Sequence, residues 1–71
     1  MPKTKRDLYN AIADKIGGER GKRMRECFQQ SPFKDLLNEE ISDEDFASHL
    51  KKAERDLPKA FAHLEEMARE R

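Results

Sequence analysis

A chain with no valine, one threonine and three isoleucines in 71 residues has little from which to build a sheet. Strands draw on β-branched side chains, which pack well on a pleated surface. The apolar residues recur instead at spacings of three and four, the period that puts them on one face of a helix. The sequence therefore predicts an all-α fold.

Residues 1–71 read as a single helical domain. A chain this short buries only about 60% of the surface its unfolded form exposes. Apart from the initial Met1, seventeen larger apolar side chains are available, enough for one small core. Charged residues make up 42% of the chain, but the apolar residues are spaced rather than scattered, which points to a folded domain with a heavily solvated surface.

Four helices are expected, near 4–16, 19–30, 32–38 and 43–71, the last kinked or split at Pro58. Thr4 caps the first, with Asp7 in its first turn. Leu8, Ile12 and Ile16 then recur every four residues, and Gly17-Gly18 stops the helix, since glycine takes the left-handed conformation of a C-cap. The second helix carries Met24, Cys27 and Phe28 on one face. Ser31-Pro32 opens the short third helix, with Ser as N-cap and Pro at N1. Ser42 opens the last region, with Asp43, Glu44 and Asp45 in its first turn. Pro58 cannot donate to residue 54, which makes it the point of a kink or a restart with Asp56 as cap. The expected core is Leu8, Ile12, Ile16, Met24, Phe28, Leu36, Leu37, Phe46, Leu50, Leu57, Phe61 and Leu64.

The C-terminal stretch has the most regular pattern. Phe46, Leu50, Ala53, Leu57, Ala60, Leu64 and Met67 alternate at spacings of four and three, which is also the heptad spacing of a coiled-coil seam. Charge is unevenly laid out. Residues 1–25 hold eight Lys/Arg against three acids, a net +5, and residues 26–71 hold seven against twelve, a net −5. Such a dipole suggests that the two ends meet different partners, or each other.

The candidate chemistries are then weighed on spacing. Cys27, between Met24 and Phe28, belongs on the buried stripe, where a thiol is inert. His49 and His63 lie on the flank of the C-terminal stripe, and Asp45 with His49 is an i, i+4 pair that trims a helix surface. A zinc or di-metal site wants several such pairs converging, and the chain has neither Glu-x-x-His nor His-x-x-x-His. The run at residues 39–45 lacks the ligand spacing and central glycine of a calcium loop. Gly17-Gly18-Glu19-Arg20-Gly21-Lys22 has no Gly-Lys-Ser/Thr and no preceding strand, so it is no phosphate loop. The basic face around Ser48, Lys51, Lys52 and Arg55 reads as solvated surface rather than a membrane face. No cofactor, no metal, no small-molecule substrate and no enzyme activity are expected. A single cysteine and no secretory h-region suit a cytoplasmic setting.

The function expected is non-enzymatic protein binding, as an adaptor, inhibitor or regulatory protein, through a helical apolar and charged surface. A homodimer is the simplest first partner, with Leu50, Leu57, Leu64 and Met67 as its seam. The alternative is a nucleic-acid-binding regulator, helix-turn-helix-like over residues 4–30. Its contacts would be Lys22, Arg23, Arg25 and Gln29, helped by Lys3, Lys5 and Arg6 on a mobile end. Zero net charge, Asp7 and Asp14 on the outward face of the first helix, and a longer, looser turn at Gly17-Gly18 than the motif has all oppose it.

Overall fold

Three helices pack against a fourth at the centre of the molecule. The computed structural model describes residues 2–69. The central element is α1, Lys5–Ile16, against which α2 (Gly18–Cys27), α3 (Asp43–Arg55) and α4 (Leu57–Arg69) are all laid. This is an all-α bundle of four helices. The expected helix over 32–38 is only a single 3₁₀ turn, Phe33–Leu36, and the expected last helix is two.

The start of α1 departs from the sheet-free expectation. Lys3–Thr4, strand β1, pairs antiparallel with Glu40–Ile41, strand β2, with Lys3 opposite Ile41 and Thr4 opposite Glu40. A ladder of two residues a side needs no β-branched run, because it is made by long-range closure. The first N–H groups of a helix have no intrahelical acceptor. Here Lys5 N–H donates to the Glu39 carbonyl at 2.9 Å and Arg6 N–H to that of Leu37 at 3.2 Å, so the loop before β2 caps α1. The Asp7 carboxylate accepts the Thr4 N–H at 3.0 Å.

The basic residues near the N-terminus are engaged within the fold. Lys5 pairs with Glu39 at 2.9 Å, Lys3 stands 4.0 Å from Asp43 and 4.2 Å from the centre of the Phe46 ring, and Arg6 donates to Asn38. Lys15 reaches Glu54 at 3.4 Å. Each of these bases lies in the positive third of the sequence, and the carboxylates they pair with lie in the negative remainder. The charge dipole closes partly on itself.

The junction of α1 and α2 is a single residue, Gly17, tighter than the long, loose turn the sequence suggested. Gly17 and Gly18 both have positive φ, 65° and 60°, a region that side chains with a Cβ enter only at a cost. The two helices then cross at Gly21, where an added Cβ would lie 2.6 Å from the Ala13 carbonyl oxygen.

The core is aromatic on one side and alanine-rich on the other. Tyr9 stacks on Phe28 with ring centres 4.9 Å apart, and Phe33 meets Tyr9, Phe28 and Phe61 at 5.4–5.7 Å. Of the expected core, Leu8, Ile12, Met24, Phe28, Leu36 and Leu64 are buried. Ile16, Leu37, Phe46, Leu50 and Phe61 are half-buried against them. Leu57 does not join this cluster. Tyr9, Phe33 and the alanines at 13, 53, 60 and 68 are buried instead. A methyl side chain lets helix backbones approach closely, so these alanines fill the contact lines that the larger residues flank. The Tyr9 hydroxyl has no hydrogen-bond partner among the described residues, and burial, with the Glu39 carboxylate nearby, pushes the phenol up.

The C-terminal stripe is split one residue before Leu57. Ser42 caps α3 by accepting the Asp45 N–H at 3.1 Å. The helix ends at Asp56, whose backbone leaves the helical region at φ −148°, ψ 72°. Pro58 falls in the first turn of α4, where its missing N–H is not needed. The two helices pack against each other, and His49 of α3 comes to lie beside His63 of α4.

Candidate functional site

Helix α2 contributes little to the core for its length. Only Gly21 and Met24 are buried within it, with Phe28 at its end. At 100° per residue these three fall on one line, which faces α1. Arg20, Arg23 and Cys27, spaced i, i+3, i+7, form the adjacent stripe on one flank. Lys22 and Arg25 lie on the other.

The first flank borders a groove. Ile16, Met24, Leu57, Pro58 and Phe61 line it together with Arg20, Arg23 and Cys27, and its volume is about 230 Å³. One wall is α2 and the other is the beginning of α4. The break at Asp56 puts Leu57 and Pro58 at that corner instead of inside a continuous helix. Neither Arg20 nor Arg23 has an ion-pair or hydrogen-bonding partner among the described residues. The groove thus has an apolar floor and, among the described residues, two guanidinium groups without a pairing partner.

Cys27 is exposed, which corrects its expected burial. The contact line with α1 runs through Gly21, Met24 and Phe28, and Cys27 sits one flank away from it. Sequence reasoning put Cys27 on the same stripe as Met24 because the direction of the α1–α2 contact is set by Gly21, a residue with no side chain to register in a hydrophobic pattern.

The second flank is partly neutralised. The Arg25 guanidinium is ion-paired with Asp14 and donates to Asn10 at 3.1 Å, both on α1. Lys22 and Arg25 border a depression with Gly17, Gly18 and Gly21, while Gln29 lies at another, with Arg6, Asn10 and Leu37. The four residues of the nucleic-acid reading, Lys22, Arg23, Arg25 and Gln29, are all exposed but are spread over more than one face.

No known protein family, curated protein or solved structure matches this chain. What the groove can bind is decided by its own side chains.

The four residues of the expected seam fall on two packed helices, Leu50 on α3 and Leu57, Leu64 and Met67 on α4. Leu64 has no exposed surface, Leu50 and Met67 pack against the core, and only Leu57 opens onto the groove. The sequence reasoning missed Arg20, Pro58 and Phe61 as groove residues. The signal for Arg20 was present, as i, i+3, i+7 with Arg23 and Cys27. That for Pro58 and Phe61 was not, because their neighbours lie more than thirty positions away. Among the described residues no group of three or more His, Cys, Asp or Glu is placed to hold a metal ion. No helix of the described residues is long and apolar enough to cross a membrane.

Proposed function

We propose that the protein is a non-enzymatic binding module that docks a partner protein's short segment in the groove between α2 and α4. The segment carries apolar side chains for the floor and a carboxylate for Arg20 and Arg23. The observation that supports this is the pair of unpartnered arginines bordering an apolar groove. A guanidinium binds carboxylate through two parallel hydrogen bonds, which gives both affinity and orientation. A homodimer is the poorer match to this groove. The chain's own acidic run at 39–45 is followed by Phe46, which is already half-buried beneath Lys3.

Cys27 is the chain's one cysteine and lines the groove, so it reports occupancy directly. Selection from a displayed peptide library should enrich segments that combine Leu or Phe with Asp or Glu. The enriched peptides should protect Cys27 from alkylation. Arg20→Glu with Arg23→Glu should weaken them at least on the order of tenfold per arginine, the worth of a charge-assisted hydrogen bond. Enrichment without acids, or binding indifferent to both changes, would defeat the proposal. Light scattering over a hundredfold range of concentration tests the dimer separately. Self-association with Cys27 protected would make a second copy the occupant.

A second reading, nucleic-acid binding, is supported by Arg20, Lys22 and Arg23, exposed on one helix and unpaired among the described residues. Against it stand Asp14, which holds Arg25, and the internal use of Lys3, Lys5 and Arg6. The expected result is no retardation of duplex or single-stranded probes at about 50 mM salt, where electrostatic binding is strong. If a shift does occur, Lys22→Glu should weaken it, and peptide docking in the groove should survive that change.

A further inference from the structure

One half-buried pair of titratable side chains lies outside the groove. His49 on α3 and His63 on α4 face each other with ring centres 5.7 Å apart and planes at 42°. Each ring is half-buried, and each keeps a buried nitrogen, Nδ1 of His49 and Nε2 of His63, without a hydrogen-bond partner among the described residues. A buried neutral nitrogen without a partner is tolerable. Two imidazolium ions across a helix contact are not, since each loses hydration and repels the other.

The surroundings add to this. Lys5 of α1 and Lys52 of α3 are the cations that bear on His49, and Asp45, one turn earlier on α3, is the acid that favours its charge. Lys5 is itself paired with Glu39. On α4, Lys59 and Glu66 flank His63 at one turn's distance. The balance around His49 is against the proton: burial is the largest influence, His63 the next, and together they hold its imidazole below the ordinary 6.5.

We propose that the His49–His63 contact is an acid-sensitive latch on the α3–α4 hairpin, closed while the rings are neutral and loosened when both are protonated. It rests on the ring geometry and is independent of the docking proposal. Opening the latch would uncover Leu50, Leu64 and Met67, which the closed hairpin holds against the core. It would also disturb the groove, whose second wall is the start of α4.

The sign follows from linkage. A histidine whose folded value is lowered contributes stability that is fully present above 6.5. That stability is lost as the pH falls through the lowered value, because the unfolded chain takes up the proton first. Urea unfolding should therefore show the folding constant of the full chain dropping roughly three- to tenfold between pH 7.5 and 5.5. Surface carboxylates titrate mostly below this window. With His63→Gln the drop should shrink, and with His49→Gln and His63→Gln together it should vanish. An equal drop in the double variant overturns the proposal. If the variants do not fold, NMR titration of the wild-type rings decides. A His49 midpoint at or above 6.5 overturns the latch, and one clearly below it supports it. Where His63→Gln does fold, the His49 midpoint should rise towards 6.5, and failure to move would show that the rings are not coupled.

Discussion

Alanine at Phe28 or at Phe33 is expected to cost about 3–5 kcal/mol, the usual loss for a buried phenylalanine. Phe33 meets three aromatic rings, those of Tyr9 on α1, Phe28 at the end of α2, and Phe61 on α4. Removing it opens a void where three helices and the 3₁₀ turn converge. None of them can collapse into the void without breaking another contact. A domain of this length has about 4–10 kcal/mol in total at ordinary stability per residue, so either variant should lose roughly a third of that stability or more. Urea midpoints followed by circular dichroism would check this. Leu57→Ala serves as the contrast, since Leu57 stands at the groove and outside the core cluster, and its loss should be about 1 kcal/mol or less. A Phe33→Ala protein as stable as Leu57→Ala would mean that the aromatic cluster does not hold the fold together.

The second large effect is expected at a position with no side chain. Gly21→Ala should destabilise by about 1–3 kcal/mol, although alanine in a helix interior ordinarily stabilises by about 1 kcal/mol over glycine. The new Cβ would meet the Ala13 carbonyl oxygen at 2.6 Å, a distance that such atoms do not tolerate. The oxygen belongs to the backbone of α1, so the helices must move apart rather than a side chain turn away. Ala13→Gly should therefore fail to rescue Gly21→Ala, because it removes a methyl group and leaves the carbonyl in place. Thermal unfolding of the single and double variants would decide. Rescue, or a gain in stability from Gly21→Ala alone, would show that α1 and α2 do not cross at this point. Gly18→Ala tests a different cost. Its added Cβ has open space around it, and only the positive φ opposes it, by about 1–2 kcal/mol.

Much of the site's chemistry was legible in the sequence, but its arrangement was not. The exposure of Lys22, Arg23 and Arg25 followed from their phase against Met24 and Phe28, and Asp14, which holds Arg25, was legible as an acid on the outward face of α1. The exposure of Cys27 could not be read this way. Its phase lies between the core line and the solvent, and only the α1 contact at Gly21 shows which side of Met24 faces inward. The heptad stripe reads first as the inner face of the protein's own bundle and second as a seam with another chain. Leu64 is buried and Leu50 and Met67 pack against the core, and the turn at Asp56 folds the stripe into two helices.

What the sequence determined by itself is local. The lack of β-branched residues, the spacing of Leu8, Ile12 and Ile16, the glycines at 17 and 18, the Ser42 cap with its three acids, and Pro58 each act within a few residues of where they stand. They set the helical class, three of the helix ends and the place of the last break. Tertiary structure decided whatever depends on residues far apart in the chain. The segments at 3–4 and 40–41 pair where the Glu39 and Leu37 carbonyls, just before Glu40, accept the N–H groups of Lys5 and Arg6. Phe33 becomes the centre of the core only when α4 brings Phe61 to it. The groove exists only where the start of α4 comes to rest beside the flank of α2, and there Arg20 and Arg23 have no pairing partner among the described residues, while Lys3, Lys5 and Lys15 are paired elsewhere. A hydrophobic pattern records which side chains avoid water. It does not record which of them meet, because the free energy of burial depends on area and carries no direction.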